Sequence, residues 1–147
     1  KKYFDEIKRI SKNQMIFGAN YFVEYLSASM GWIFWDKKLG GDFSDGELVY
    51  TSFQRALKMF SLSNFHGLHG GHLRIHPTQK PVALYRWIIQ NYAKPGDKII
   101  DTHSGSGSCA IACHLEHYDF VAIEKDYDYW LSSTKRLDEV RAQGTLF

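Results

Sequence analysis

Cysteine and proline are both scarce in this chain, with two of the first and three of the second in 147 residues. Cys109 and Cys113 are too few for a disulfide framework, so a reducing, cytoplasmic setting is expected. The prolines are Pro77, Pro81 and Pro95, and no two are adjacent. No apolar run approaches the ~20 residues of a membrane-spanning helix. The first residues, Lys1-Lys2, lead into a charged amphipathic stretch rather than a secretory signal. No internal repeat and no low-complexity segment are present. Neither sign of charge dominates: 18 Lys and Arg against 16 Asp and Glu give a net charge of +2 and a pI near 8.5. So weak an excess does not by itself indicate nucleic acid. What is present suits one domain, because 44% of residues are hydrophobic and 16% aromatic, enough for a packed core.

The charge is unevenly spread. Between Gly31 and His76 the basic residues are Lys37, Lys38, Arg55, Lys58 and Arg74, with four histidines, whereas Asp36, Asp42, Asp45 and Glu47 cluster in one loop. Residues 50–80 are therefore locally basic, which suits either a solvated loop or a face for an anionic partner.

Apolar spacing outlines the elements. Tyr3, Phe4, Ile7 and Ile10 predict a helix over 1–11. Met15-Ile16-Phe17 predicts a short buried strand, 21–29 a helix stopped near Gly31, and Trp32–Trp35 an aromatic, β-branched strand. Residues 48–53 alternate, predicting a strand that forms an edge hairpin with Trp32–Trp35. Residues 54–75 have no clear period and are rich in His, Gly and Ser, so they are expected to form a loop. A stripe of Leu84, Tyr85, Ile88, Ile89 and Tyr92 predicts a helix over 81–92, with Pro81 tolerated in its first turn. A turn at Pro95-Gly96-Asp97 follows. Then come strand 98–101, helix 106–117, strand 120–124 and helix 126–141. That alternation predicts a parallel sheet covered by helices.

The most informative segment is Ile99-Ile100-Asp101-Thr102-His103-Ser104-Gly105-Ser106-Gly107-Ser108-Cys109-Ala110. A strand ends at Asp101, a glycine-rich turn follows, and a helix begins. Glycine lets backbone approach a ligand closely, and the helix start offers free N–H donors. Nineteen residues after Gly105, Glu124 closes the next strand, where an acid can take the hydroxyls of a ribose. A nucleoside-containing cofactor is implied. Gly105-x-Gly107-x-x-Ala110 formally fits the dinucleotide fingerprint. That fingerprint, however, sets its first glycine directly after the strand, and Asp101 would repel a pyrophosphate. The same carboxylate favours the ammonium of a methionine-like group. S-adenosylmethionine is thus favoured over a nicotinamide dinucleotide, with a plain glycine turn as the bland alternative.

The turn Asp101-Thr102-His103-Ser104-Gly105-Ser106-Gly107 resembles the cofactor motif Asp-Pro-Phe-x-Gly-Ser-Gly of the DNA N6-adenine and N4-cytosine methyltransferases, with Thr102 and His103 replacing Pro and Phe. His76-Pro77-Thr78-Gln79-Lys80-Pro81 resembles the segment these enzymes place just before it. Val121-Ala122-Ile123-Glu124-Lys125-Asp126 resembles their ribose-binding strand end. Phe17–Phe22, Ile33–Lys37 and Glu47–Phe53 are similar to the same enzymes, above all to phage-borne adenine methylases. The order, with the cofactor half last, resembles a permuted subgroup. The resemblance implies a Rossmann-like α/β methyltransferase fold, a mainly parallel sheet with helices on both faces, and a single domain over 1–147. Within it, 1–53 would be the target-side half, 54–75 a recognition insert and 76–147 the cofactor-binding half.

It also implies a function: methyl transfer from S-adenosylmethionine to an exocyclic amino nitrogen in double-stranded DNA, adenine N6 being favoured over cytosine N4. Asp101, Ser104, Gly105, Ser106 and Gly107 would cradle the methionine part, Glu124 the ribose, and Thr78 and Lys80 would contact the carboxylate or fix the loop. Arg55, Lys58 and Arg74 are the candidates for DNA contacts. The family's catalytic Asp/Asn/Ser-Pro-Pro-Tyr/Phe motif needs adjacent prolines, which these residues lack. It is expected upstream of Lys1, on a strand beside the one ending at Asp101. No catalytic residue is therefore assigned here, and the sheet should either take that strand from another segment or a second chain or be distorted. Two other clusters could hold a metal: Cys109, Cys113 and His117 on one predicted helix, and His66, His69, His72 and His76. Packing for the first and a DNA-facing loop for the second are the simpler readings, so no metal is assigned. Trp32, Trp35 and Trp87 are expected in the core rather than stacked on a base.

Overall fold

The computed structural model describes residues 1–39, 44–62 and 74–144. It contains two compact units, 1–64 and 65–147. The boundary falls inside the stretch expected to be an insert.

The first unit opens with helix α1 (Lys2–Ile10). Phe4 and Ile7, three residues apart, are its buried face. Asp5 in its first turn and Lys8 and Arg9 in its last complement the helix dipole. Strands β1 (Met15–Phe17), β2 (Ile33–Asp36), β3 (Gly46–Thr51) and β4 (Lys58–Ser61) follow, in the sheet order β1-β3-β2-β4. β3 runs antiparallel to both β1 and β2, with Ile16 opposite Tyr50 and Phe34 opposite Leu48. β4 runs parallel to β2. Alternation along β2 buries Ile33 and Trp35, and the Trp35 indole N–H donates to the Leu62 carbonyl at 3.0 Å. Trp35 is thus core, as expected.

Three expectations fail in this unit. Residues 21–29 form no α-helix. They contribute instead to single 3₁₀ turns at Ala19–Tyr21 and Val23–Tyr25. Gly18 in the left-handed region starts this bend, and the aromatic side chains are used sideways: Tyr25 stacks on Phe4 at 5.2 Å and Phe22 packs on it at 5.6 Å. Tertiary packing therefore overrides the helical spacing. The β3 strand is paired on both sides rather than at an edge. Finally, the stretch read as all loop contains β4, whose four residues are too few to show a period.

The second unit begins with helix α2 (Val82–Tyr92), Pro81 standing just before its first residue. Leu84, Ile88, Ile89 and Tyr92 form its buried stripe. Strand β5 (Lys98–Asp101), helix α3 (Ser108–Leu115) and strand β6 (Asp119–Ala122) make a parallel β-α-β unit, with Ile100 opposite Val121. Helix α4 (Tyr127–Gly144) completes it. Ile99, Phe120 and Ala122 point to one face, where Ile89 of α2, Cys109, Ala110 and Cys113 of α3 and Leu137 of α4 cover them. Ile100 and Val121 alternate to the other face and stay 39% and 58% exposed. Among the described residues of this unit, α2, α3 and α4 share one face of its sheet. β5 is paired only with β6 among the described residues. The first unit's sheet is mixed, with β1–β3 and β2–β3 antiparallel and β2–β4 parallel, whereas β5–β6 is parallel.

Candidate functional site

The C-terminal ends of β5 and β6 carry the candidate site. Parallel strands in such units present ligand sites at these ends. Asp101 ends β5, and its carbonyl accepts the Ile123 N–H at 2.8 Å, which extends the pairing past β6. The Ile123 carbonyl in turn accepts the Ser104 N–H at 2.9 Å, fixing the start of the turn. Gly107 N–H donates back to the Ser104 carbonyl at 2.8 Å and closes it. Residues 104–108 are buried although they form a turn.

Two carboxylates flank this turn. Glu124 Oε2 accepts the Gly105 N–H at 2.8 Å, and Oε1 accepts the Asp126 N–H at 2.9 Å. The Asp126 and Gly105 N–H groups lower its pKa, against an opposing effect of burial. Asp101 is different. Burial raises its pKa, against a smaller opposing effect of the His103 N–H, which its Oδ1 accepts at 3.1 Å. Lys80 lies close enough to favour the Asp101 charge, and Glu124 close enough to oppose it. The structure thus brings Lys80, Asp101, Ser104, Gly105, Ser106, Gly107 and Glu124 into one neighbourhood. Thr78 stands near it through His76: its N–H donates to His76 Nδ1 at 3.2 Å.

The glycines are explained differently from the expectation. Gly105 and Gly107 have φ of +49° and +74°, the left-handed region that disfavours side chains. The space beside each is filled by the chain itself. A Cβ on Gly105 would lie 3.3 Å from the His76 ring, and one on Gly107 would lie 3.0 Å from Ser133 Cβ. Internal packing alone accounts for glycine at both places, with no need for a ligand.

Sequence reasoning missed Arg136, and read His76 as part of a DNA-facing loop or a metal cluster without giving it a contact of its own. From α4, Arg136 Nη1 donates to the Ser106 carbonyl at 3.0 Å and to Ser108 Oγ at 2.8 Å. Burial lowers its pKa, and its buried Nε has no acceptor among the described residues. Nothing in a helical sequence signals such a reach. His76 had a signal, as the first residue of the His-Pro-Thr-Gln-Lys-Pro segment.

The other candidates divide. Arg55 and Lys58 belong to the first unit, Lys58 exposed on β4. Arg74 belongs to the second unit, where its Nε donates to the His76 carbonyl at 3.2 Å and its Nη2 to the Pro77 carbonyl. Part of that guanidinium therefore braces the turn it precedes. Cys109 and Cys113 are buried against Ile89 and Ala112. The Cys109 thiol is pushed up by its hydrogen bond with Cys113 and by burial. His117 lies beyond the end of α3, exposed, with φ +61°, so it does not share the helix face expected of it. His66, His69 and His72 lie outside the described residues.

Comparison with known proteins decides the family. A family model described as DNA methylase matches residues 6–135. The chain belongs to the DNA methylase family. Two curated relatives agree. The type II methyltransferase M2.MboI of Moraxella bovis is 26% identical over 136 residues, covering 82% of this chain and 45% of that protein. The DNA adenine methyltransferase YhdJ of Escherichia coli K12 is 36% identical over 63 residues, 43% of this chain and 21% of that one. The chain thus spans less than half the length of these relatives. Among solved structures, the M1.HpyAVI–SAM complex superposes with a TM-score of 0.68 at 22% identity, covering 84% of this chain and 74% of that one. The PvuII cytosine-N4-specific DNA methyltransferase gives 0.56 at 12% identity, covering 78% and 56%. The fold is therefore the Rossmann-like α/β fold of the family's methyltransferases, with the mixed sheet described above.

Proposed function

We propose that this member of the family binds S-adenosylmethionine at the β5–β6 strand ends and belongs to an enzyme that methylates an exocyclic amino group in double-stranded DNA, adenine N6 before cytosine N4. The observation that carries the reading is the pair of carboxylates, Asp101 and Glu124, on adjacent strand ends. Glu124 is held by two backbone N–H groups, which fixes its orientation and leaves lone pairs for the two hydroxyls of a ribose. Asp101 is a desolvated carboxylate with Lys80 as its charge partner, so an ammonium of the ligand would relieve it. The chemistry of this donor set fits the cofactor. A pyrophosphate would face both carboxylates, which disfavours a nicotinamide dinucleotide.

In this reading Asp101, Ser104, Gly105, Ser106 and Gly107 hold the methionine part, Glu124 the ribose, and Thr78 and Lys80 the carboxylate. The cofactor, when bound, supplies a methyl group activated by sulfonium. Arg55, Lys58 and Arg74 contact phosphates or guanine edges. The target base must leave the stack, because its amino group is otherwise paired. Its acceptor motif, with adjacent prolines, is not among the 147 residues. We assign it to a preceding segment or a second chain, whose strand pairs with β5 on the side away from β6. Titration calorimetry of the complete protein with S-adenosylmethionine and with NAD tests the cofactor; tighter NAD binding overturns it.

The second reading is a non-catalytic remnant that keeps cofactor or DNA binding, favoured only by that missing proline pair. Labelled-methyl incorporation into mixed-sequence DNA separates the two. We expect background from residues 1–147 alone and activity once the preceding segment is supplied, because preorganised groups aimed at the reacting amine provide much of the rate. Turnover by the 147-residue chain would show that the catalytic site has been mislocated. No turnover by the complete protein would favour the remnant.

A further inference from the structure

Arg136 reaches from α4 into the glycine turn, and no carboxylate among the described residues pairs with it. Burial works against its charge, and its Nε is buried without an acceptor among those residues. Such a cation is costly to bury. Bracing the turn does not account for it, because a neutral amide also donates to a carbonyl. What a guanidinium adds is direction. It has five N–H donors and no acceptor, so every atom that it bonds must accept.

That direction passes along two hydroxyls. Ser108 Oγ accepts from Arg136 Nη1 at 2.8 Å and lies 3.1 Å from Ser106 Oγ. Ser108 is 1% exposed, and its hydroxyl has no other partner among the described residues. Its hydrogen therefore goes to Ser106 Oγ, since a buried hydroxyl hydrogen left without an acceptor is costly. The Ser106 hydroxyl is then the receiving end of that bond, and its own hydrogen has no acceptor among the described residues. The Ser106 N–H has none there either, while the Ser106 carbonyl accepts from the same Nη1 at 3.0 Å. Two donors of one buried residue thus await an acceptor. We propose that Arg136 is a positioning residue: acting through Ser108, it commits the Ser106 hydroxyl to donate to the methionine carboxylate of the cofactor. The assignment rests on the S-adenosylmethionine reading of this turn and adds to it the group that sets the polarity of the contact.

The test compares the complete protein with its Arg136→Met, Arg136→Lys, Ser106→Ala and Ser108→Ala variants. Each is titrated with S-adenosylmethionine and with decarboxylated S-adenosylmethionine, which keeps the sulfonium and the ribose and lacks the carboxylate. Wild type should prefer the ligand that has the carboxylate. Ser106→Ala should lose about tenfold or more of that preference, the size of a hydrogen bond to a charged group. Arg136→Met and Ser108→Ala should lose about three- to tenfold of it, although neither residue touches the ligand. Arg136→Lys still donates and cannot accept, so it should restore most of what Arg136→Met loses. Adding Arg136→Met to Ser106→Ala should cost no further preference, because both act on one contact. A residue that merely shapes the turn would weaken both ligands alike. That result, additive losses in the double variant, or no preference in wild type overturns the proposal while leaving the cofactor reading intact. Failure of wild type to bind either ligand overturns both. Should Arg136→Met not fold, Ser108→Ala removes a single oxygen and decides the question: an unchanged preference there refutes the relay.

Discussion

Replacing Gly105 with alanine tests the packing on which the site depends. Two costs add. The backbone there has φ +49°, and a residue with a Cβ loses about 1–2 kcal/mol in that left-handed region. The new Cβ would also lie 3.3–3.4 Å from three atoms of the His76 ring. That ring cannot simply retreat, because Tyr129 and the Thr78 N–H hold it. Forcing an extra carbon into such packing costs about 1–3 kcal/mol, so the sum is about 2–5 kcal/mol. Gly96 is the control, with φ +87° and nothing within 4 Å of an added Cβ. Its alanine variant should lose the backbone part alone, about 1–2 kcal/mol. Gly107→Ala should be the worst of the three, since its Cβ would meet Ser133 Cβ at 3.0 Å, an atom fixed to the α4 backbone. Urea unfolding of the complete protein gives the three values. Adding His76→Ala to Gly105→Ala should return the steric part, seen as a coupling of about 1 kcal/mol or more in a double-mutant cycle. The reasoning is refuted if Gly105→Ala costs no more than Gly96→Ala, or if removing the ring brings no relief.

Asp101→Asn should separate stability from binding. Burial raises the carboxyl's folded pKa, so ionisation works against folding at neutral pH. The variant should be as stable as wild type or more so near pH 7, the difference closing as pH falls through the raised folded pKa. Its affinity for S-adenosylmethionine should drop roughly tenfold or more, the size of a hydrogen bond to a charged group. Paired melting and calorimetry would check both signs. Glu124→Ala should weaken the cofactor by about 1.5–3 kcal/mol. Because its folded pKa is lowered, its stabilising contribution is present above the unfolded carboxyl value and fades as pH falls through the lower folded one. The variant's melting temperature should therefore depend less on pH in that acid range. Charge reversal at Arg55, Lys58 and Arg74 should weaken DNA binding and flatten its salt dependence by roughly one unit of log–log slope per lost phosphate contact. Unchanged binding at low salt would remove these residues from the interface.

The parts of the fold that were legible in the sequence are those in which local pattern and tertiary demand coincide. The stripe in α2 and the strand–turn–helix–strand run from Lys98 to Ala122 emerge where the spacing sets them, within a few residues. At 21–29 the pattern is helical, but Phe22 and Tyr25 are drawn onto Phe4 and the backbone bends in 3₁₀ turns instead. β4 is held by parallel pairing with β2, a partner more than twenty residues away, and its four residues carry no signal of their own. At the site, residue identity was legible and occupancy was not. The sequence offers Glu124 as a free ribose acid, whereas both its oxygens are engaged by backbone N–H groups. The sequence also cannot show that Arg136 would reach across from α4 to the carbonyl of Ser106.

That difference changes which residues argue for a ligand. In the sequence the two glycines read as room for a cofactor, beside the two acids. In the structure Gly105 admits His76 and Gly107 admits Ser133, so an empty turn would need the same two glycines. Charge is harder to explain away. A chain building only a tight turn gains nothing from a desolvated carboxylate at the end of β5. Asp101 receives one backbone N–H, a contact from the Cys109 thiol and the fields of His103 and Lys80, and still its ionised form is disfavoured by burial. Asparagine or serine could take the His103 N–H with no charge to desolvate. A buried carboxylate whose charge is disfavoured, beside a second, fixed one, is costly for the fold, and in the proposed reading a partner that brings positive charge and hydroxyl groups together offsets that cost. A methionine-bearing nucleoside has both, and a dinucleotide, whose pyrophosphate adds negative charge, does not.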